Sequence, residues 1–379
     1  MISYKYKLYH NKQTKHLDNM LREACFVWNH ALALQKRYYR LYNRYISCVT
    51  MQKHFAKRIK RKYLHSQSVQ EILQRLDKSY QRFFKHQSTR PPKFKKTRDF
   101  TSFCYKQGGF TLEGNTFRIN SLKKNYRFSL SREYDGKVKQ VRVKRTSLGE
   151  YYICIVTDAE PKPYVKSHNG ASVGIDFGLK TYMTLSNGEK LSHPQFLKRD
   201  LKRLRKASKR HSRCMSGSNN KDKVRKELCR LHEQISNRRM DYQWKLAHDI
   251  CRRYDTIFIE DLNLEGMCRL WGRKVHDLGH GQFCGILEQV AAKYGCTVHR
   301  IDRWYPSSKL CDCGFKNDKL ALHDRQWTCP QCGKVHDRDI HAAEMILRRG
   351  IYELVSDGKT NETQCVSGQS RLSQESHRL

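Results

Sequence analysis

Apolar and polar positions alternate with period two over residues 2–9, ISYKYKLY, which predicts a strand. From about 17 to 47 the period lengthens: Leu21, Cys25, Trp28 and Leu32 share one helical stripe that ends in the Tyr/Arg-rich YYRLYNRY. Ser68 and Glu71 read as a capping box for a second helix, with Val69, Ile72, Leu73, Leu76, Tyr80, Phe83 and Phe84 at helical spacing. Pro91-Pro92 stops that helix, and the basic KFKKTR follows. Five short strand candidates come next, near 101–106, 116–120, 126–131, 138–146 and 150–159, parted by GG, EGN, KKN and DG turns. Their spacing predicts a small antiparallel barrel, completed by the N-terminal strand around the inserted helices. Residues 160–170, EPKPYVKSHNG, read as a linker.

Beyond the linker the pattern changes to apolar runs that end in carboxylates. Asp176 sits in SVGIDFGLKTYMTLSNG and Glu260 in DTIFIEDLNL; such runs read as buried strands whose tips meet at one sheet edge. Between them lies a basic helical pair, 194–213 and 221–254, flanking MSGSNN, with a seam of Val224, Leu228, Leu231, Ile235, Tyr242, Leu246 and Ile250. After Glu260 the pattern is irregular until a helix near 281–294 and a strand, CTVHRID. Asp339 opens the helical run HDRDIHAAEMILRR, and the polar tail from about 355 is expected to be disordered. The chain carries no internal repeat and no phosphate-binding loop of the ATPase type.

Charge narrows the partner. Lys and Arg number 75 against 36 Asp and Glu, a net charge of +39 spread along the chain, and a polyphosphate is the natural counter-charge. A ribosomal or membrane-surface protein is the bland alternative. The 21 Tyr and 15 Phe weigh against it, because aromatic rings among cations stack on exposed bases. No stretch approaches the ~20 apolar residues of a membrane span. MISYKYKLYH lacks a signal-peptide core, so a soluble, cytoplasmic protein of two or three domains is expected.

Fifteen cysteines is an odd number, and eleven are scattered without framework spacing, as reduced thiols are. Cys311 and Cys313 are separated by fifteen residues from Cys329 and Cys332, with a Gly after each pair. That is the layout of a zinc ribbon, in which tight turns aim thiolates at one Zn²⁺; coincidental thiols are the alternative. Asp176, Glu260 and Asp339 suit hard cations instead. Oxygen-only clusters hold Mg²⁺, and a pair of such ions about 4 Å apart clamps both oxygens of an in-line phosphoryl displacement. The chemistry indicated is hydrolysis of a nucleic-acid backbone.

FVWNHAL, the FF and PPKFKK region, VGIDFGLKTYMTLSNG, IEDLNLEGM, DLGHGQFCGILEQVAAKYG, WYPSSK with its C-x-C-G, and HDRDIHAAEMI come in a fixed order. Over nearly the whole chain to about residue 352, this order resembles the TnpB proteins of bacterial insertion sequences, compact relatives of type V CRISPR effectors. The resemblance implies an α+β multidomain chain. Its parts would be a wedge β-barrel (1–11 and 99–160), a helical recognition insert (12–98), a linker (161–170), a RuvC-like nuclease domain of RNase H fold (171–304 and 336–352), a zinc ribbon (305–335) and a tail (353–379).

The activity implied is RNA-guided cleavage of double-stranded DNA beside a short flanking motif. The partners would be a guide RNA from the chain's own element and the target duplex, with one monomer on one guide RNA and no membrane. Asp176, Glu260 and Asp339 match the family's catalytic carboxylates, with Asp337 the competing reading for the third. Asp176 would bridge two Mg²⁺ ions, and the other two acids would complete one ion each.

Three positions depart from the family pattern. The first cysteine pair is one residue short, so His323 or His336 is a candidate to replace a thiolate; His341 stands where Asn is usual, and Trp244 where His is common. Gln70 matches a recognition-helix Gln able to pair with adenine, and Lys93, Lys95 and Lys96 are backbone-contact candidates. Two other readings stay open: a DNA transposase carrying out strand transfer, and a non-catalytic RNA-guided DNA-binding regulator.

Overall fold

The computed structural model describes residues 1–11, 14–59, 62–160, 162–321 and 323–356. The chain divides into two compact units, one spanning Met1–Pro161 and one beginning at Lys162.

The first unit packs helices on antiparallel sheets. Strand β1 (Ile2–Lys7) leads into α1 (Thr14–Tyr42), which buries Leu17, Leu21, Ala24, Trp28 and Leu32 on one face. This helix stops at Tyr42, short of the expected 47, where Asn43 turns into the left-handed region with φ 49°. Helix α2 (Cys48–Arg58), which the pattern did not announce, is capped by the Ser47 hydroxyl accepting from Thr50 N–H. Helix α3 (Ser66–Phe84) begins ahead of the expected capping box. His65 Nδ1 accepts the Gln67 N–H, which leaves Ser68 buried inside the first turn and Glu71 paired with Arg75 at 2.5 Å.

The strands are β2 (Ser102–Tyr105), β3 (Phe110–Glu113), β4 (Thr116–Ile119), β5 (Lys124–Arg127), β6 (Val138–Arg145) and β7 (Tyr151–Thr157). The N-terminal strand joins the later ones as expected, pairing Ile2 with Thr157 through Lys7 with Tyr152. The barrel does not close. Among the described residues the strands form a four-stranded sheet, β1-β7-β6-β2, and a separate meander, β3-β4-β5. One bridge, Leu8 to Phe128, links them, because the Gly108-Gly109 turn parts β2 from β3 and the four-residue meander strands leave short edges. One aromatic-rich core, including Tyr6, Phe55, Phe103, Tyr105 and Phe117, joins sheets and helices.

The second unit is built on a mixed five-stranded sheet in the order β10-β9-β8-β11-β12. Its strands are β8 (Ser172–Asp176), β9 (Met183–Leu185), β10 (Lys190–Leu191), β11 (Thr256–Glu260) and β12 (Thr297–Ile301). Strands β8, β11 and β12 are parallel, and β9 and β10 fold back antiparallel. Helices α4 (Phe196–Arg213) and α5 (Asn219–Arg253) form the basic pair; Leu231 and Ile235 of the expected seam meet Leu204 and Ala207. The segment after Glu260 is not irregular: Asn263 caps α6 (Leu264–Leu278), which kinks at Trp271, and Gly279 turns the chain into α7 (His280–Tyr294). A hairpin of β13 (Gln326–Thr328) and β14 (Val335–Asp337) then feeds α8 (Arg338–Ser356).

The expected linker has no regular structure over its described residues, yet it is tethered. Lys166 Nζ meets Asp255 Oδ1 at 2.6 Å, and the Asn169 and Gly170 N–H groups donate to Asp255 Oδ2. Helix α8 continues through Ser356, and the polar tail beyond it lies outside the described residues. Among the described residues no helix is long and apolar enough to cross a membrane.

Candidate active site

Sheet register brings the first two acids together. Ile175 of β8 pairs with Ile259 of β11, so Asp176 and Glu260 close adjacent parallel strands at the same level. Neighbouring strands lie about 4.8 Å apart, and side chains at one level point to one face. That face also carries Gly174 and Phe258, two residues earlier on each strand, and α8 lies against it: a Cβ at Gly174 would meet Ala343 O at 2.2 Å, and one at Gly350 would meet Phe258 at 2.0 Å. Helix α8 therefore approaches closely only because both positions are glycine, and its first turn delivers Asp339 to the strand tips.

The three carboxylates line one cleft of about 780 Å³. Asp337 does not line it; its Oδ1 accepts the Asp339 and Ile340 N–H groups at 3.2 Å, capping α8, while Oδ2 pairs with Lys190 at 2.8 Å. Burial, then the charges of Glu260 and Asp339, push the Asp176 carboxyl up to about 7, with Arg338 and Arg325 opposing. Burial and the neighbouring Asp261 push Glu260 up to about 7 as well. Asp339 is held by Arg325 Nη1 at 3.0 Å and 3.3 Å.

Two crowded carboxyls that resist ionisation fit a divalent cation, because such an ion is the partner that repays their desolvation. Cations that sequence reasoning missed also line the cleft: Lys180, Lys274, Lys309, Lys316, Arg325 and Arg338, with the aromatic faces of Trp271 and Tyr305. Only the cation-rich composition hinted at them, since they come from the turn between β8 and β9, from α6, from the stretch 305–318 and from the two sides of the hairpin.

All four candidate thiolates gather. The sulfurs of Cys311, Cys313, Cys329 and Cys332 lie within 4.8 Å of one another, with 311 to 332 at 3.5 Å and 313 to 329 at 3.6 Å. Tetrahedral Zn–S bonds of about 2.3 Å place sulfurs about 3.8 Å apart, so the donor set fits zinc despite the shortened first pair. Gly314 (φ 88°) and Gly333 (φ 72°) supply the left-handed turns after the pairs. Asp312, inside the short pair, is clamped by Lys334 and by Arg348 of α8 at 2.6 Å. His336 Nε2 sits 3.1 Å from Cys311 Sγ, whereas His323 is exposed beside Asp324. His341 is buried, with Nε2 donating to Leu310 O at 2.7 Å and its ring 4.0 Å from that of His336. Trp244 is half-buried against His248.

The nucleic-acid candidates of the first unit lie on α3 and behind it. Gln70 is exposed on α3. Lys93 and Lys96 are exposed, but Lys95 stacks its Nζ 3.9 Å from the Trp28 ring, where burial lowers its pKa. The backbone of this segment is pinned to α1: Trp28 Nε1 donates to Lys93 O, and Asn29 exchanges two hydrogen bonds with Lys95.

Known proteins resemble this chain along most of its length. Residues 154–270 match the family described as "Probable transposase", 280–346 the "Cas12f1-like, TNB domain", and 1–44 a "Helix-turn-helix domain". A Streptomyces pristinaespiralis protein described as "Putative RNA-guided DNA endonuclease" is 32% identical over 317 residues, covering 82% of this chain and 78% of its own. The "Putative RNA-guided DNA endonuclease InsQ" of Escherichia coli (strain K12) is 30% identical over 353 residues, covering 86% and 87%. Among solved structures, a "Cas12f1-sgRNA-target DNA complex" superposes with a TM-score of 0.59 over 89% of this chain and 83% of that one; at 15% identity this likeness concerns the fold alone. With relatives at this identity along most of both chains, the chain belongs to the TnpB family.

Proposed function

We propose that this protein is a metal-dependent, RNA-guided endonuclease that cuts double-stranded DNA next to a short flanking motif. The observation that carries the reading is the convergence of Asp176, Glu260 and Asp339 in one cation-rimmed cleft. These three residues would hold two Mg²⁺ ions. When bound, such ions polarise the scissile phosphate and furnish a nucleophile at neutral pH. The chain's own residues do the positioning. Arg325, Arg338, Lys309 and Lys316 offer cations to the phosphates flanking the cut, and Trp271 and Tyr305 offer faces to unpaired bases. Asp337 fixes the first turn of α8 and so the place of Asp339.

Sequence would be read by guide–target pairing, with the net charge of +39 supplying backbone affinity for both strands. Exposed Gln70 on α3 is the candidate reader of the flanking duplex, and exposed Lys93 and Lys96 are candidate phosphate contacts. Zn²⁺ in the four-cysteine cluster would anchor the hairpin from which α8 starts.

The test is alanine substitution of Asp176, Glu260 and Asp339 singly. Each should abolish cleavage of a guide-matched duplex while retaining the guide RNA. Normal cutting by Asp339→Ala together with loss in Asp337→Ala would overturn the third assignment. Strand transfer is the second reading, favoured by the match of residues 154–270 to a family described as "Probable transposase". Products separate the two: hydrolysed ends support the nuclease, joined ends the transposase.

A further inference from the structure

Beside the carboxylate cleft, and sharing Leu179, Lys180 and Lys274 with it, lies a second pocket of about 360 Å³. That is the lower end of the ~300–1,000 Å³ that small-ligand sites occupy. Its walls are apolar, made by Leu179, Leu197, Leu201 and Leu278. Four exposed cations, Lys180, Lys198, Arg273 and Lys274, stand around it, and among the described residues none of their charged side-chain groups has a hydrogen-bond or ion-pair partner. The one acid in the lining is already engaged: Asp277 accepts from the Leu197 N–H at 2.9 Å and the Lys198 N–H at 3.3 Å, capping α4.

His193 completes the lining and is 8% exposed. Gln195 is held in the left-handed region (φ 52°), and its N–H donates to His193 Nδ1 at 2.9 Å. Burial lowers the pKa of the ring and keeps it neutral, so the proton sits on Nε2. That N–H has no hydrogen-bond partner among the described residues. A buried donor left unmade costs free energy.

An apolar slot with unpaired cations outside has the chemistry of a nucleotide: a flat, carbon-faced base joined to phosphates. We propose that this pocket takes an unstacked nucleobase of a single DNA strand on its way to the carboxylate cleft, with Lys180, Lys198, Arg273 and Lys274 on the flanking phosphates. The identity of the strand rests on the nuclease reading; the pocket's affinity for a base does not. The site would favour strands already unpaired, since a paired base must first leave its stack.

The probe is a short single-stranded oligodeoxynucleotide carrying 5-iododeoxyuridine, photo-crosslinked to the full-length protein without divalent metal, with the adducts mapped by peptide mass. Adducts are expected in the segment His193–Leu201. An abasic competitor of equal length should displace the probe about tenfold less well than an intact one, because it keeps the phosphates and loses the bases. Leu201→Trp fills the pocket and should abolish these adducts. Arg273→Ala removes one of the flanking cations and should cut their yield several-fold even if the tryptophan variant does not fold. Adducts confined to other segments, or equal displacement by the abasic strand, would overturn the proposal. Cleavage of a guide-matched duplex is measured in parallel on the wild type. Cleavage without pocket adducts removes the pocket and keeps the nuclease; pocket adducts without cleavage remove the nuclease and keep the pocket.

Discussion

Gly174→Ala is a one-carbon change that should separate two carboxylates of the candidate site. Gly174 stands two residues before Asp176 on β8, and an added Cβ would lie 2.2 Å from Ala343 O and 2.6 Å from Leu347 N of α8. Both are backbone atoms of a regular helix, so neither can rotate aside. Ordinary contact begins near 3.4 Å, and α8 must therefore retreat by about 1 Å. Overpacking of this kind costs about 1–3 kcal/mol, and a backbone clash belongs at the upper end. At about 2–4 °C per kcal/mol, the melting temperature should fall by roughly 4–12 °C. Asp339 rides on the first turn of α8, so a 1 Å displacement should also slow cleavage by about a hundredfold, more than the stability loss alone explains. Gly285→Ala is the control: it lies mid-helix in α7 with nothing within 4 Å of its Cβ, and it should cut normally and melt at or above the wild-type temperature. The assays are thermal melting and single-turnover cleavage below the melting transition. A Gly174→Ala protein that melts and cuts like wild type would refute the packing of α8 on β8, and one that melts lower yet cuts normally would refute the role given to Asp339.

Three further outcomes are expected. Because Asp176 and Glu260 have folded-state pKa values raised to about 7, their protonation favours the metal-free fold at acid pH, and that contribution is lost as pH rises through about 7. Mg²⁺ should therefore raise the melting temperature more at pH 8 than at pH 6; a shift independent of pH, or one retained in Asp176→Ala, would contradict this. Purified protein should contain about one zinc per chain by elemental analysis, and Cys329→Ser should lower both zinc content and melting temperature; active protein without zinc would refute the thiolate assignment. Gln70→Ala should relax the flanking-motif preference at one base position in a motif-depletion assay, whereas Lys96→Ala should weaken all flanks alike. An unchanged preference in Gln70→Ala would leave that residue a solvated position on α3.

The convergence of the candidate carboxylates was legible in the sequence, because two of them end short buried strands. Runs such as SVGID and TIFIE can hardly be anything else, and a carboxylate at the end of each marks the sheet edge. Helix α8 was legible from its periodicity, but its approach to the sheet depends on Gly174 and Gly350, which sequence alone does not pair. The misreadings have local causes. A Ser-x-x-Glu signature placed the start of α3 at Ser68, yet the His65 imidazole caps the helix a turn earlier, a role that residue type does not advertise. The strand spacing suggested a barrel but missed β3, and closure depends on edges meeting, whereas the meander is tied to the main sheet by one bridge. Glycines in LEGMCRLWGRK concealed α6, and with it Trp271 and Lys274 of the cleft. The shortened Cys311/Cys313 pair suggested a missing ligand, whereas Asp312, clamped by Lys334 and Arg348, is placed to hold the tighter turn.

The central claim is tested most directly by reprogramming. The RNA that co-purifies with the protein is sequenced, its guide segment is replaced, and the reconstituted complex is incubated with Mg²⁺ and a plasmid library carrying the new target beside randomised flanks. The account predicts double-strand breaks that move with the guide, occur beside a limited set of flanks and vanish in Asp176→Ala. Breaks at unchanged positions, joined rather than hydrolysed ends, or cutting that survives in Asp176→Ala would contradict it.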